Sequence, residues 1–388
     1  MKHYYSYLNS ATAIIAAYKG DEPFTSFLKK YFSLNKKFGS KDRKQVSHLC
    51  YCYYRLGKAL TDIATEERIL IALFFCSYEP NDILQELKPA WNANVALPFY
   101  QKQRLIGLAF EVNDIFGWVT ETGESLDKEA FVLSHLQQPD LFLRLRPGNE
   151  IEVKQKLANS KIEFQVITDT CIALPNSSKI DVVIAIDKEA VIQDYSSQRV
   201  REFLSLLKSE LKMNVWDCCA ASGGKSILAN DILGDIKLSV SDIRDSILIN
   251  LKKRFVVAGI KNFGIFIADL AKPIINKKDT FFDLIIADVP CTGSGTWSRT
   301  PEQLYFFKKE RIGEYAVLQK KIASNIIPFL KPGGYLLYIT CSVFRKENEE
   351  SVNFLKEKFQ LQLLKMELLK GYDKRADTMF AALLRKPL

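Results

Sequence analysis

The stretch Val215-Trp-Asp-Cys-Cys-Ala-Ala-Ser-Gly-Gly-Lys-Ser226 runs from an apolar strand through a loop of small residues into the start of a helix. Further apolar runs follow it, each bounded by turn residues and separated from the next by a helical spacer. They lie at residues 238–241, 263–268, 284–287 and 335–339. Short apolar strands that alternate with helices are typical of a doubly wound α/β fold. From residue 201 onward the sequence therefore predicts a doubly wound parallel sheet.

Upstream of this sheet the chain has two regions with different patterns of apolar residues. The first part shows helical spacing of apolar residues and no strand alternation, as at residues 11–18, 24–32, 46–60 and 69–75. The second part mixes short strands with one helix; the strands are 141–145, 163–167 and 182–186, and the helix is 150–159. These periodicities predict three domains. They are a helical domain at 1–125, a small α+β segment at 126–200 and the sheet domain at 201–388.

The composition is that of a globular protein with an excess of basic residues. Hydrophobic residues make up 47% of the chain, charged residues 26%, and the net charge is +9. No apolar run approaches the roughly 20 residues that a membrane-spanning helix needs. Between residues 29 and 44, seven Lys and Arg stand against one Asp. That run favours a polyanionic partner or, equally, a solvated helix face.

The cysteine and histidine usage bears on compartment and metal binding. Eight cysteines are scattered along the chain without the spacing of a disulfide framework or of a zinc site, and only three histidines occur. We therefore expect no metal site and a reducing, cytoplasmic compartment. We also expect no membrane association. A monomer is the simplest expectation, although nothing in the sequence determines the oligomeric state.

Carboxylates stand at the ends of successive predicted strands. Asp217 ends the first, Asp242 the second, Asp269 follows the third and Asp288 ends the fourth. The carboxyl ends of parallel strands form one edge of the sheet, where ligands bind. Asp242 lies about 20 residues after the small-residue loop, the distance at which an acidic residue receives the hydroxyls of a ribose. Asp269 is then placed for the amino group of an adenine.

The loop at residues 219–225 has a rival interpretation. Gly224-Lys225-Ser226 imitates the end of a P-loop, which would make the protein a nucleotide hydrolase. A P-loop requires Gly five positions before Gly224, and Cys219 stands there. No G-x-G-x-x-G pattern follows the strand either, so a dehydrogenase is disfavoured.

Two cysteines stand just beyond predicted strands. Cys291 lies in Ala287-Asp-Val-Pro-Cys-Thr-Gly-Ser-Gly295, and Cys341 in Tyr338-Ile-Thr-Cys-Ser342. Two thiols delivered to the ligand edge of the sheet favour covalent chemistry by sulfur. The alternative is that both are small buried apolar residues, as free cysteines commonly are.

Taken together, these motifs resemble the RsmB/Fmu/Sun family of RNA cytosine methyltransferases in order and spacing. The resemblance covers residues 138–388 and rests on Cys219-Ala-Ala-Ser-Gly-Gly-Lys225, Asp242, Asp269, Asp288-Val-Pro-Cys-Thr-Gly-Ser-Gly295 and Tyr338-Ile-Thr-Cys-Ser342. It implies a class I, Rossmann-like methyltransferase sheet that makes 5-methylcytosine with S-adenosyl-L-methionine. The helical residues 1–125 look like the NusB-like RNA-binding domain of the bacterial rRNA members.

The resemblance also implies the cofactor site and two departures from the family pattern. The cofactor-binding residues would be Cys219, Ala220, Ala221, Ser222, Gly223, Gly224, Lys225, Asp242, Asp269 and Asp288. Ser222 stands where the family usually has Pro. Arg144-Leu-Arg-Pro-Gly-Asn149 replaces an Arg-x-Asn pair, which puts RNA contacts there in doubt.

The chemistry needs a thiol because carbon 5 of cytosine is a weak nucleophile until sulfur attacks carbon 6. The residues alone do not decide which cysteine attacks. The resemblance implies Cys341 as nucleophile and Cys291 as the group that assists release, the reverse assignment being the alternative. Asp288 is placed to hydrogen-bond ring nitrogen 3. Lys225 is expected near the methionine carboxylate or the target base, or else in solvent.

Arg299 and Arg345 flank the two cysteine motifs and are either phosphate contacts or surface arginines. The implied substrate is RNA, small-subunit rRNA first and tRNA as an alternative. Because a base inside a duplex is unreachable, the target must be unpaired or flipped out. A non-catalytic RNA-binding assembly factor that kept the fold is a further alternative.

Overall fold

The structure is a computed structural model that describes residues 2–207, 212–273 and 280–388. Within these ranges the helices are α1 (Lys2–Ala17), α2 (Phe24–Leu34), α3 (Ser40–Arg55), α4 (Thr65–Cys76), α5 (Asp82–Leu87), α6 (Pro89–Asn92), α7 (Phe99–Ile106), α8 (Lys128–Ser134), α9 (Glu150–Asn159), α10 (Tyr195–Gln198), α11 (Arg201–Leu204), α12 (Gly224–Leu233), α13 (Asp245–Val257), α14 (Glu302–Phe306), α15 (Glu310–Ile326) and α16 (Glu349–Phe359). The strands are β1 (Leu141–Leu145), β2 (Gln165–Thr168), β3 (Cys171–Leu174), β4 (Ala190–Ile192), β5 (Asn214–Asp217), β6 (Lys237–Asp242), β7 (Phe263–Ile267), β8 (Phe282–Asp288), β9 (Leu330–Thr340), β10 (Gln362–Leu369) and β11 (Met379–Arg385).

One compact unit is helical and is assembled from three stretches of the chain, Met1–Thr120, Asp127–Gln138 and Trp297–Lys308. Its core is aromatic. The rings of Tyr18, Phe24 and Tyr54 pack with centroids 4.8 to 5.9 Å apart, and Phe306 of α14 joins the same cluster. Helix α14 therefore belongs to the helical unit, although it lies in the later part of the sequence.

Helix α3 ends earlier than the predicted helix 46–60, at Arg55. Gly57, two residues later, adopts a φ of +52°, and a Cβ there would lie 2.0 Å from the carbonyl oxygen of Ile115. Glycine adopts this left-handed conformation without strain, and only glycine leaves room for so close a carbonyl oxygen. The helix thus ends where the chain meets a segment almost 60 residues away in sequence. The local spacing of apolar residues contains no information about that contact.

The second unit comprises Glu121–Leu126, Pro139–Thr296 and Lys309–Leu388. It begins with a four-stranded antiparallel sheet in the order β2-β3-β1-β4. The predicted strand at 182–186 is wrong, because the backbone turns there: the N–H of Ile184 donates to the carbonyl of Ile180 at 2.8 Å. Val182 is 81% exposed, and strands β3 and β4 occupy the two edges of β1.

The main sheet has the order β10-β11-β9-β8-β5-β6-β7. Strands β5 to β9 run parallel, as predicted, but β10 and β11 are antiparallel to their neighbours. The five strands predicted to be parallel are parallel, and β10 and β11, which the sequence analysis did not predict, make the sheet mixed. Strand β11 is buried along almost its whole length, and periodicity alone does not distinguish such an apolar run from a buried helix segment.

The strand order creates one crevice at the centre of the sheet. From β5 the chain continues to β6 on one side, whereas from β8 it continues to β9 on the other. Ligands of open α/β sheets bind at such a reversal of strand order, beyond the carboxyl ends of the strands. The loops after β5 and β8 therefore flank the predicted site. Among the described residues, no helix is long and apolar enough to span a membrane.

Candidate active site

The loop between β5 and α12 brings backbone rather than side chains to the crevice. The N–H of Ala220 donates to the carbonyl of Ser241 at 3.0 Å, which ties the loop to β6. Gly223 has a φ of +83°, and a Cβ there would lie 2.7 Å from the ring of Phe255. Gly224 begins α12 with open space around it. This loop leaves room for a ligand against a helix N-terminus.

Arg254 of α13 restrains the same loop from outside. Its Nη1 donates to the carbonyl of Ser222 at 2.6 Å, and its guanidinium also pairs with Asp187 at 2.6 Å. Ser222 is the position where the resembled family usually has Pro. A hydrogen bond from a paired arginine therefore holds the loop at the position where the ring of proline would restrict it. Sequence reasoning did not identify Arg254, which is one of several basic residues on its helix.

Asp242 ends β6 beside the loop and is nearly buried. Its carboxylate accepts from the N–H of Ala221 at 3.1 Å and from Arg244 Nε at 3.0 Å. Burial alone would raise the pKa of Asp242, but the hydrogen bonds from Arg244 and Ala221 outweigh burial and lower it. Asp242 is therefore ionised at neutral pH, as an acceptor of ribose hydroxyls should be.

Asp269 lies next to Asp242 because β6 and β7 pair in parallel, and the N–H of Ala268 donates to the carbonyl of Asp242 at 3.2 Å. Its carboxylate pairs with Lys272 at 3.1 Å and accepts from the N–H of Ala271. The hydrogen bond from Lys272 lowers its pKa. The structure thus brings Asp242 and Asp269 to one side of the crevice.

Asp217, at the end of the central strand β5, is fully buried. Its Oδ2 accepts from the hydroxyl of Ser226 at 2.6 Å, whereas its Oδ1 has no hydrogen-bond partner. Burial raises the pKa of Asp217 to about 7, and the nearby carboxylate of Asp288 adds to the rise. A buried carboxyl with an unsatisfied oxygen is costly to ionise, and it lies directly beneath the crevice.

Lys225 and Asp288 form an ion pair across the crevice, 2.7 Å from Nζ to Oδ2, with both side chains mostly buried. Burial acts to lower the pKa of Lys225, but the charges of Asp288 and Cys341 and the hydrogen bond from Lys225 to Asp288 raise it above its ordinary value. Lys225 is therefore a permanent positive charge at the junction of β5 and β8. The sequence analysis left Lys225 either in solvent or near the methionine carboxylate or the target base. The structure places it beside Asp288 with its side chain mostly buried, and not in solvent.

The two cysteines lie together. The N–H of Cys341 donates to the sulfur of Cys291 at 3.2 Å. The neighbouring thiol of Cys291, burial and the charge of Asp288 raise the pKa of Cys341 well above its ordinary value, while Lys225 opposes the rise. Both thiols are partly accessible. The two cysteines are 50 positions apart in sequence, and the parallel pairing of β8 with β9 brings them together.

The two cysteine loops are also joined backbone to backbone. Gly295 donates its N–H to the carbonyl of Cys341 at 2.9 Å and accepts from the N–H of Thr378 at 2.8 Å. A Cβ on Gly295 would lie 1.9 Å from the carbonyl oxygen of Thr378. Glycine is therefore required here by the close approach of three chain segments.

The site contains one buried carboxylate that the sequence analysis did not identify, Glu347. It is fully buried and accepts hydrogen bonds from Thr292, the residue after Cys291. Burial raises its pKa to about 7, although the hydrogen bonds from Thr292 and Ser342 oppose the rise. In the run Lys346-Glu-Asn-Glu-Glu350, no local signal distinguishes this residue from its neighbours.

Four arginines singled out from the sequence have different surroundings. Arg144 and Arg146 both pair with Asp231 of α12, at 2.6 and 2.7 Å, and are largely buried. They connect the small sheet to α12 instead of facing solvent. Arg345 is 48% exposed and pairs with Glu350 at 3.2 Å. Arg299 lies in the Trp297–Lys308 stretch of the helical unit.

Comparison with known proteins supplies relatives for this site. Residues 204–383 match the family model of the 16S rRNA methyltransferase RsmB/F. The probable ribosomal RNA small subunit methyltransferase B of Synechocystis sp. is 28% identical over 243 residues, which are 60% of this chain and 53% of that protein. The chain thus spans about half the length of this curated relative.

Two solved structures share the fold. The crystal structure of PH0851 superposes with a TM-score of 0.68 over 98% of both chains, at 18% identity. The methyltransferase homolog protein from Pyrococcus horikoshii superposes with a TM-score of 0.59 over 75% of this chain and all of that one, at 20% identity. These two structures confirm the predicted Rossmann-like fold. The family model and the curated relative confirm the resemblance to the RsmB family.

Proposed function

We propose that this chain, whose residues 204–383 form a domain of the RsmB/F methyltransferase family, transfers a methyl group from S-adenosyl-L-methionine to carbon 5 of a cytosine in RNA. The observation that carries the proposal is the hydrogen bond from the N–H of Cys341 to the sulfur of Cys291, which places the two cysteines together near the Lys225–Asp288 ion pair. These groups lie at the carboxyl ends of β8 and β9 and at the start of α12. A P-loop hydrolase would have no use for two thiols there.

The residues around the first loop fit the cofactor. Asp242 is an ionised acceptor for ribose hydroxyls, and Asp269 beside it is an acceptor for the adenine amino group. The small residues Cys219 to Gly224 leave space for the methionine part, and Oδ1 of Asp217 lies unsatisfied beneath them. Bound there, S-adenosyl-L-methionine supplies an electrophilic methyl group.

Cys341 is the proposed nucleophile, as the family resemblance implies, and the charges of Asp288 and Lys225 both act on it. In the free protein its raised pKa keeps it a thiol. On attack the thiol of Cys341 gives up its proton, which passes through Asp288 to ring nitrogen 3, and the charge of Lys225 favours the thiolate. The sulfur bonds to carbon 6, and the displaced electron pair of the ring double bond makes carbon 5 nucleophilic.

Asp288 and Lys225 offset the charge that develops on the ring during attack. Asp288 is proposed to pass the proton released by Cys341 to ring nitrogen 3, and the ammonium of Lys225, 2.7 Å from Asp288, supplies the positive charge. The pair is mostly buried, so its interaction with the ring is weakly screened by water. Because the charge appears only as the sulfur adds, this contribution acts on turnover more than on binding.

Release is assigned to Cys291. After methyl transfer, Cys291, whose own proton has passed to water, accepts the proton from carbon 5, and ring nitrogen 3 returns its proton through Asp288. The electrons of that bond restore the ring double bond, and the bond from carbon 6 to the sulfur of Cys341 breaks with its pair returning to sulfur. The short distance between the two thiol groups lets both act on one base.

The proposed substrate is small-subunit rRNA, by analogy with the name of the Synechocystis relative. The net charge of +9 and the seven basic residues between 29 and 44 support a polyanionic partner. Transfer RNA and a non-catalytic role in ribosome assembly remain the alternatives to be tested. All eight cysteines are free, which supports the proposed cytoplasmic location. A monomer is proposed as the simplest oligomeric state.

Two cysteine variants test the assignment. Cys341→Ala should abolish methyl transfer and leave cofactor affinity unchanged, because the thiol acts on the base. Cys291→Ala should trap the protein on methylated RNA, seen as a gel shift that persists in denaturant. Cys171→Ala, at a buried cysteine in β3, is the matched control and should do neither. Trapping by Cys341→Ala instead would reverse the two roles, and an unmethylated, untrapped RNA pool from the wild type would contradict the function.

A further inference from the structure

Glu347 is a carboxylate with no solvent access, located between β9 and α16. Ionisation of a carboxyl removed from water costs several kcal/mol unless hydrogen bonds replace the solvent. A buried carboxylate that served only to fill space would destabilise the fold. The hydrogen-bond partners of Glu347 therefore indicate its role.

On one side Glu347 binds the loop that carries Cys291. The N–H of Thr292 donates to both of its oxygens, at 3.2 and 3.1 Å, and the hydroxyl of Thr292 donates to Oε2 at 3.1 Å. Hydrogen bonds to a charged acceptor are roughly twice as strong as neutral ones. The residue next to Cys291 is thus fixed by both its backbone and its side chain.

On the other side Glu347 is linked to the loop that carries Cys341 through the hydroxyl of Thr292. That hydroxyl donates to Glu347 at 3.1 Å and lies 3.3 Å from the hydroxyl of Ser342, the residue after Cys341. The hydroxyl of Ser342 also lies 3.1 Å from that of Ser294. One carboxylate therefore bonds directly to the residue after Cys291 and is linked through that residue to the one after Cys341.

A second set of bonds supports Glu347 from helix α15. The side chain of Gln319 donates to the carbonyl of Pro290, just before Cys291, at 3.0 Å. The hydroxyl of Tyr338 lies 3.0 Å from Oε1 of Gln319 and 2.7 Å from the backbone oxygen of Glu347, so its single proton is shared. The side chains of Glu347, Gln319 and Tyr338 are fully buried, and their network is correspondingly rigid.

We infer that Glu347 is a positioning residue that fixes the Cys291 loop against the Cys341 loop, so that the second thiol reaches the adduct formed by the first. The inference rests on the proposed function. Glu347 does not touch the base, so its removal should affect the release step more than attack or cofactor binding. A displacement of about 1 Å is enough to lower turnover by about 100-fold.

The test uses the full chain with Glu347→Ala, Glu347→Gln and the control Glu350→Ala, whose side chain is 43% exposed. Turnover, the fraction of protein trapped on methylated RNA and cofactor affinity are measured for each. Glu347→Ala should lower turnover by about 100-fold and raise the trapped fraction, with cofactor affinity within about twofold of wild type. Glu347→Gln keeps one accepting oxygen for Thr292 and should be intermediate. Glu350→Ala should match wild type.

The background of Cys291→Ala separates positioning from general damage. If Glu347 acts through Cys291, Glu347→Ala should add nothing to the trapping already caused by Cys291→Ala. Equal losses of adduct formation, release and cofactor affinity in Glu347→Ala would overturn the inference. If Glu347→Ala does not fold, wild-type turnover and trapping in Glu347→Gln would overturn it as well. Neither result bears on the proposed function, because the wild-type protein still transfers the methyl group. Wild-type protein and Cys291→Ala that form neither methylcytosine nor adduct would instead overturn the proposed function, and the inference with it.

Discussion

Asp217 should make the folded protein less stable as the pH rises, and Asp217→Asn should remove that dependence. Burial raises the pKa of this carboxyl from 3.8 to about 7, and its side chain is fully buried. Between these two values the unfolded chain releases the proton while the folded protein keeps it. The folded state then binds more protons, and stability falls with rising pH.

The magnitude follows from the two pKa values. At 1.36 kcal/mol for each tenfold change in proton affinity, the rise from 3.8 to about 7 corresponds to about 4 kcal/mol. Below about pH 4 both states hold the proton and the cost is absent. Above about pH 7 the full cost is present. Asparagine does not titrate, so the variant should gain up to about 4 kcal/mol relative to wild type between these limits.

Urea unfolding followed by circular dichroism at several pH values between 4 and 8 measures this gain. Placing the asparagine amide next to Ser226 changes the free energy of unfolding by an amount that does not depend on pH. The readout is therefore the slope, against pH, of the difference in unfolding free energy between variant and wild type. The contributions of other titrating groups, Glu347 included, cancel in that difference. Asp235→Asn, at a 74% exposed surface position, should give a nearly flat difference. A flat difference for Asp217→Asn as well would refute the raised pKa.

Two further predictions concern the cofactor and the cysteine loops. Asp242→Ala should weaken the binding of S-adenosyl-L-methionine by about 1–3 kcal/mol in calorimetry, because a charged acceptor is lost; unchanged affinity would exclude it from the cofactor site. Gly295→Ala places a Cβ 1.9 Å from the carbonyl oxygen of Thr378 and should lower both thermal stability, by about 1–3 kcal/mol, and turnover. Gly313→Ala, within α15 and with open space around it, is its control, and equal behaviour of the two would contradict the close approach.

Much of the fold follows from local pattern. Strand β1 and helix α9 have the predicted bounds, and the parallel strands β5 to β9 lie within a few residues of their predicted positions. The errors have nonlocal causes. Helix α3 ends at a backbone contact with Ile115, and strand β11 is a buried apolar run whose state depends on its pairing with β9.

The membership of the stretch Trp297–Lys308 in the helical unit is likewise invisible in sequence. Its residues lie between two strands of the main sheet, and no change of composition marks them. They join the helical unit because Phe306 packs on Tyr18 and Tyr54, and apolar burial depends on surfaces that meet only in the fold.

The sequence by itself determined the succession of the parallel strands and their loops along the chain, the family resemblance and the candidate residues. Each of these rests on short local patterns. The tertiary structure alone decided which of those residues meet. Strand pairing brings Cys291 to Cys341 and Lys225 to Asp288, and burial gives Asp217 and Glu347 their raised pKa values. Electrostatic environment is a sum over neighbours that are distant in the chain, so a linear pattern specifies the groups of a site but not their charge states.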